Sequence, residues 1–287
     1  MSGTALACGL ATVDVVQVVE AVPEPDEKVV ALDASVSAGG PACNAALTCA
    51  VLGVPTRFVG AVGSGPLSGV VLRDLARHGV AVTDLAPPAF EPPLSTVLVT
   101  ASTGERAVVS RNAVGVAEYA ALSESELDAL LDDVAAVLVD GHHLPVAVGV
   151  AAGARRRGIP VLLDGGSWKP GLEELLAHVE VAVVSAAFTM PGGGGLAGLR
   201  DAGPWWVAAS DGAGPVRWLG GGGHGEVPVP VVDVVDTLGA GDVLHGALLA
   251  ELARDGTADL PGALARAVGV AARSVGATGA LGWAGDR

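Results

Sequence analysis

The sequence predicts an α/β protein built on a mostly parallel sheet, and three observations predict it. Short apolar runs without polar alternation occur at 5–10, 57–62, 137–139, 161–163, 181–184 and 206–209. Strands of this kind are buried on both faces, as parallel strands between helices are. Helical patterns alternate with these runs over most of the chain, which is the rhythm of βα units. The chain has 287 residues, of which 51% are hydrophobic and 16% charged, so it can bury a large core.

Taken in order, the first apolar run is followed by 13–37, where alternation with polar Gln17, Glu20 and Lys28 reads as exposed strands. A helix is expected over 42–52, after two glycines and a proline. The strand 57–62 leads through a glycine-rich turn to a helix at 67–77. A proline-rich loop at 87–93 then precedes 94–110, which reads as two short strands around Ser102-Thr103-Gly104-Glu105. Neither 13–37 nor 94–110 has a crossover helix after it, so together they are expected to form a small antiparallel flap beside the main sheet. Ser123 and Glu126 have capping-box spacing at the start of a helix at 124–131. Further helices are expected at 146–156, 172–177, 240–254 and 262–275. The glycine clusters at 192–195 and 220–223 read as mobile loops, and Trp205, Trp206 and Trp218 as packing residues.

Composition excludes several function classes. Sixteen basic residues against 31 acidic ones give a net charge of −15, which makes a poor binder of nucleic acid or anionic membrane. The lysines are Lys28 and Lys169 alone. Cys8, Cys43 and Cys49 have no metal-ligand or disulfide spacing and read as buried apolar residues in a reducing compartment. The charge-free run 181–199 is broken by Pro191 and the glycines after it, which makes it a poor membrane span. A cytoplasmic protein is the expectation.

Two segments carry chemistry. Asp236-Thr237-Leu238-Gly239-Ala240-Gly241-Asp242 runs directly into a helix. Glycines at a helix start let backbone approach a ligand, and the free N–H groups there attract an anion. A carboxylate at this spot either sits in the field of the helix end or serves as a general base beside a phosphate. Gly39-Gly40-Pro41-Ala42-Cys43-Asn44-Ala45-Ala46 opens another helix, and Asn44 offers an amide that can donate to and accept from hydroxyls.

Together the two segments resemble the paired signatures of the ribokinase-like (PfkB-type) carbohydrate kinases. The resemblance extends through Phe58-Val59-Gly60-Ala61-Val62-Gly63 with Gly69 and Leu75, and covers almost the whole chain. It implies a three-layer α/β/α fold: a central, mostly parallel sheet and a small antiparallel β lid. The chain is then a single kinase domain over 1–287, with the lid formed by about 12–37 and 94–111. It implies that Asp242 is the catalytic base and that the Gly239, Ala240 and Gly241 backbone is the anion hole. Asp14, Gly40, Asn44 and Arg106 match substrate-binding positions. Lys169, Ser210, Gly212, Ala271 and Ser274 match positions around the nucleotide. The implied cofactors are ATP and Mg²⁺, with a monovalent cation left open. The implied partners are a small sugar and a second copy of the chain joined through the lid.

The sequence departs from the family pattern at three places. Where many members have an Asn-x-x-Glu motif that organises metal and phosphates, this chain has Ser185-Ala186-Ala187-Phe188, so no side chain is assigned to a metal. Leu244 stands for a frequent Phe, and Gly65 for a common Asp. Gly279-Ala280-Leu281-Gly282-Trp283, Lys169-Pro170 and the Ser185 stretch resemble the ketohexokinase-like branch, and Arg106 falls where that branch has a substrate-facing Arg, which makes a free ketohexose the expected substrate. A nucleoside or phosphosugar kinase, or a catalytically impaired binding protein, are the alternatives. Two other motifs carry less. Gly63-Ser64-Gly65-Pro66-Leu67-Ser68-Gly69 with Asp84 misplaces its third glycine for a dinucleotide site. His142 and His143 are adjacent and have no third ligand at metal spacing.

Overall fold

The structure is a computed structural model that describes residues 3–87, 89–111 and 119–285. The loop expected at 87–93 includes Pro88, which lies outside the described residues. Nine strands form the main sheet in the order β13-β12-β11-β10-β9-β8-β1-β4-β5. They are β1 (Thr4–Cys8), β4 (Thr56–Gly60), β5 (Ala81–Asp84), β8 (Val134–Val139), β9 (Val161–Gly165), β10 (Val181–Ser185), β11 (Trp206–Asp211), β12 (Gly214–Gly220) and β13 (Gly223–Val227). From β5 to β11 every pairing is parallel, and β12 and β13 add an antiparallel hairpin at one edge.

Helices cover both faces, which is why the strands carry continuous apolar runs. In β1, Ala5 and Ala7 face one core while Leu6 and Cys8 face the other. The first core is closed by α1 (Pro41–Val51), α2 (Ser68–Arg77), α7 (Ala240–Asp255) and α8 (Leu260–Ser274). The second is closed by α3 (Glu124–Leu131), α4 (Leu144–Arg156), α5 (Leu172–Leu176) and α6 (Gly195–Asp201). The capping box at α3 is present, with Ser123 and Glu126 each bonding the other's backbone. Cys8, Cys43 and Cys49 are free and buried, and burial pushes the Cys49 thiol up to about 12. Among the described residues no helix is long and apolar enough to cross a membrane.

The two stretches outside the βα rhythm form a second sheet of four strands in the order β3-β2-β6-β7. They are β2 (Thr12–Val19), β3 (Asp33–Gly39), β6 (Leu94–Thr100) and β7 (Arg106–Ser110). Two details differ from the sequence reading. The sheet is mixed rather than antiparallel, because β2 and β6, which come from distant parts of the chain, pair in parallel. And β2 is mostly buried: Val16, Val97 and Val99 make a small core against Leu238, while much of β3 and β7 stays exposed.

The other corrections are local. Gly220–Gly223 is the turn of the β12–β13 hairpin rather than a mobile loop, and Gly195 already starts α6. Glycine-rich hairpins lack the apolar alternation that marks strands, so β12 and β13 leave little signal in the sequence. Trp206 is buried and stacked on Trp218, but Trp205 is exposed and is not a core residue. The carboxylate of Asp84 accepts the N–H groups of Val62 and Gly63 at 2.9 and 2.8 Å and that of Ala86 at 3.0 Å. It closes its own loop, which accounts for the acid without a ribose.

Candidate active site

Both glycine-rich segments meet at the carboxyl ends of the parallel strands, the usual place for a ligand crevice in an open α/β sheet. Gly40 starts α1 with φ 93°, and a Cβ there would lie 2.5 Å from the carbonyl oxygen of Leu10. Gly239 starts α7 with φ 71°, and its Cβ would lie 2.6 Å from that of Ala280. Only glycine adopts both the backbone shape and the close packing at these positions. At α1 the Ala42 and Cys43 N–H groups are taken by the Asp140 carboxylate and the Leu10 carbonyl, whereas at α7 no side chain caps the first turn, which leaves its amides for a ligand.

Asp242 is the acid in the first turn of α7. Its Oδ2 accepts from Nδ2 of Asn44 at 2.7 Å, which joins the two segments directly. Asn44 is buried and its Oδ1 has no partner. Burial and the nearby Asp164 carboxylate push the Asp242 carboxyl up to about 7, against the pull of Asn44 and His245. A carboxylate that titrates near neutrality is matched to taking a proton from a hydroxyl at physiological pH.

Asp14 lies on β2, with Gly39 so close that a Cβ would sit 2.1 Å from its oxygen. Burial raises this carboxyl, and the hydroxyls of Thr12 (2.7 Å) and Ser95 hold it back. Arg106 on β7 reaches across to the signature loop, where Nη1 donates to the Thr237 carbonyl at 2.6 Å and to its Oγ1 at 2.8 Å. The Arg106 side chain is therefore held by the loop before α7, and it lines the same cleft as Gly241.

That cleft has a volume of about 1010 Å³. Ser210, Gly212 and Ala271 line it beside Ala240 and Gly241. Two expected members do not line it. Ser274 is buried in α8 and its hydroxyl donates back to the Ala271 carbonyl at 2.8 Å. Lys169 has its Nζ near Gly141 and within electrostatic reach of Asp164 instead. A helical serine can always bond its own preceding turn, and a sequence does not show which way a lysine stem runs.

Several site residues carried no motif. Asp140, at the end of β8, is buried and accepts the backbone N–H groups of Leu10 (2.8 Å), Ala42 (3.2 Å) and His142 (2.9 Å). Burial alone would raise its carboxyl, but the His142 ring and these donors hold it well below the usual carboxylate range. It thereby ties the β1 end and the α1 start together. Asp140→Ala is expected to destabilise the protein by roughly 3 kcal/mol, because buried N–H groups lose their acceptor; denaturant unfolding of the variant checks this. Asp236 is equally structural, accepting from Leu238 and Gly279, each at 2.8 Å. Asp140 and Asp164 share one signal in the sequence, an acid at the carboxyl end of an apolar strand.

The residues at the expected metal position do not fit a metal. Ser185 Oγ donates to the Gly166 carbonyl at 2.9 Å, and Phe188 packs edge-on against Trp168. Among the described residues there is no group of three or more His, Cys, Asp or Glu side chains that could hold an ion.

The chain matches the sequence profile of the pfkB family carbohydrate kinases over residues 4–282, and it belongs to that family. Its class is therefore a phosphotransferase acting on a sugar hydroxyl. Solved structures agree on the fold. Arabidopsis thaliana ribokinase, complexed with ribose and ATP, superposes with a TM-score of 0.79 at 21% identity, covering 100% of each chain. Ribokinase from Giardia lamblia gives 0.81 at 17% identity, with 99% of this chain and 96% of that chain covered. A fructokinase from Xylella fastidiosa with bound ATP gives 0.73 at 23% identity, with 99% and 95% covered.

Proposed function

We propose that the protein transfers the γ-phosphoryl group of ATP to a hydroxyl of a free sugar, with Asp242 as the base. The observation that carries this reading is the placement of Asp242. It is held by Asn44 at 2.7 Å in the uncapped first turn of α7, next in the chain to Gly241, which lines a cleft of about 1010 Å³. The cleft walls from Val216, Val229, Val268 and Ala271 are apolar and suit a purine ring, while Ser210 and Gly212 supply polar groups at the strand end.

Phosphoryl transfer asks little covalent chemistry of a protein and much positioning. Asn44 orients the Asp242 carboxylate toward the acceptor hydroxyl. Asp242 takes the hydroxyl proton as the oxygen attacks phosphorus. The Gly239–Gly241 backbone faces the charge that builds on the phosphoryl oxygens. Arg106 adds a guanidinium at the same edge of the cleft. Asp14 accepts hydrogen bonds from the sugar hydroxyls, with Gly40 allowing close approach. The four-stranded sheet, spanning about 12–37 and 94–111 of a single 1–287 kinase domain, acts as a lid that keeps water from the γ-phosphate. Mg²⁺, when bound, would be held by the nucleotide phosphates and would neutralise part of their charge.

The finer reading is a free ketohexose, as in the ketohexokinase-like branch. Arg106 and the Gly279–Trp283 segment support it, and no cluster of lysines stands near Asp14 to take a second phosphate. Exposed Val36 and Val108 with Val109 on the lid strands suit a homodimer through that sheet, and the free buried thiols suit a cytoplasmic setting. The test is kcat/KM for fructose, ribose, adenosine and fructose 6-phosphate, each with ATP. Fructose is expected to lead by more than about tenfold, roughly 1.4 kcal/mol in transition-state binding. A lead of that size for the nucleoside or phosphosugar overturns the ketohexose reading. No turnover of any of them overturns the kinase reading.

A further inference from the structure

His245 lies one turn beyond Asp242 on α7 and is buried. Its Nδ1 stands 2.7 Å from the carbonyl oxygen of Gly241, and its Nε2 stands 2.9 Å from that of Val183 on β10. Carbonyl oxygens only accept, so each ring nitrogen must carry a hydrogen to make its bond. A ring with two N–H groups is an imidazolium. The Asp164 carboxylate on β9 lies 3.3 Å from Nδ1, itself buried, and its Oδ2 has no hydrogen-bond partner. Burial pushes the Asp164 carboxyl up, and His245 is the first of the neighbours, ahead of Lys169 and His142, that favour its charged form, so a buried cation here lets both charges persist away from water.

We propose that the His245 imidazolium, paired with Asp164, is a positioning residue of the transfer centre that fixes Gly241 and Asp242 against the ends of β9 and β10. Gly241 supplies an amide of the anion hole and is bonded to Asp242 in sequence, so a clamp on its carbonyl sets where both groups point. The pair also sets the field at the base. The titratable groups that face Asp242 are Asp164 on β9, His245 on α7, Asp14 on β2 and Cys43 on α1. Asp164 in turn is faced by His245, Asp140, His142 and Lys169. His245 favours the charged form of Asp242, and Asp164 opposes it.

The inference rests on the reading of Asp242 as base, and the experiment separates the two. In the wild-type protein without substrate, ¹⁵N NMR of the histidine rings, assigned with His245→Gln, is expected to show two protonated nitrogens on His245 at pH 7. In turnover, His245→Gln is expected to lower kcat roughly tenfold with KM for ATP little changed, since positioning is lost and nucleotide contacts are not. It is also expected to move the acidic limb of kcat up by roughly one pH unit, because a positive charge beside Asp242 is gone. Asp164→Asn is expected to move that limb down, and it serves by itself if the histidine variant does not fold. The double variant removes both charges and should bring the limb back toward wild type. A single N–H on the wild-type ring overturns the proposal, as does a limb that stays still in both single variants. Wild-type protein that turns over no sugar overturns the kinase reading, and the ring spectrum, taken without substrate, still decides the state of His245.

Discussion

Asp242→Asn is expected to reduce kcat by about 10²–10⁴-fold, the usual cost of losing a positioned base. ATP binding should survive, because the amides of α7 and the apolar cleft walls are untouched. Folding should survive as well, because the oxygen of an asparagine can still accept from Asn44 Nδ2. The wild-type carboxyl, raised from an ordinary value of 3.8 to about 7, adds a second readout. Such a group binds its proton more tightly folded than unfolded, so its ionisation drains stability as pH rises from about 4 toward 7. The neutral asparagine is free of that cost. The variant is therefore expected to melt a few degrees higher than wild type at pH 8, with the gap closing at pH 4. In wild-type enzyme the same titration makes kcat fall as pH drops through neutrality. A variant that keeps more than about a tenth of wild-type kcat would remove Asp242 from the base role.

Gly241→Val is expected to lower kcat by roughly 10²–10³-fold, the range seen when a donor to a developing oxyanion is lost. The space around Gly241 makes this a clean test. A Cβ added there meets nothing within 4 Å. It would extend into the cleft that Gly241 lines. Melting temperature and turnover should be measured on the same preparation. Loss of activity with an unchanged melt supports the anion hole, whereas parallel loss of both would mean that Gly241 serves the fold. Gly239→Val is the matching control: its Cβ would strike Ala280, so that variant should lose stability too.

The fold was legible because the physical signal was strong. Parallel strands buried on both faces, such as β1 and β10, must be apolar throughout, and helices between them must show an apolar face. The small sheet was legible as an exception to that rhythm, but not its pairing: parallel contact between β2 and β6 joins segments far apart in sequence. The two glycine-rich helix starts were legible because glycine is needed there for backbone reasons, and Asp242 was singled out only by the resemblance that the two segments carry together. Asp140, Asp164 and His245 could not. Their roles come from which backbone groups lie opposite them in space, and a lone acid or histidine in an apolar run says nothing of its neighbours. Ser274 and Lys169 show the same gap in reverse: neither lines the cleft, and the Ser274 hydroxyl bonds its own helix turn.

Asp14 and Asp242 stand on different bodies. Asp14 belongs to β2 in the four-stranded sheet, while Asp242 belongs to α7 on the nine-stranded one. Under the proposed reaction, the residue that would recognise the sugar belongs to the cover, and the residue that would deprotonate it belongs to the base plate. Grip on the correct hydroxyl pattern is converted directly into alignment of the reacting atoms. A sugar that engages Asp14 poorly leaves the two carboxylates out of register even when it occupies the site. Selectivity in such a device is written mainly in turnover, with affinity changing less, so a weak alternative sugar would behave as a sluggish substrate and a passable inhibitor.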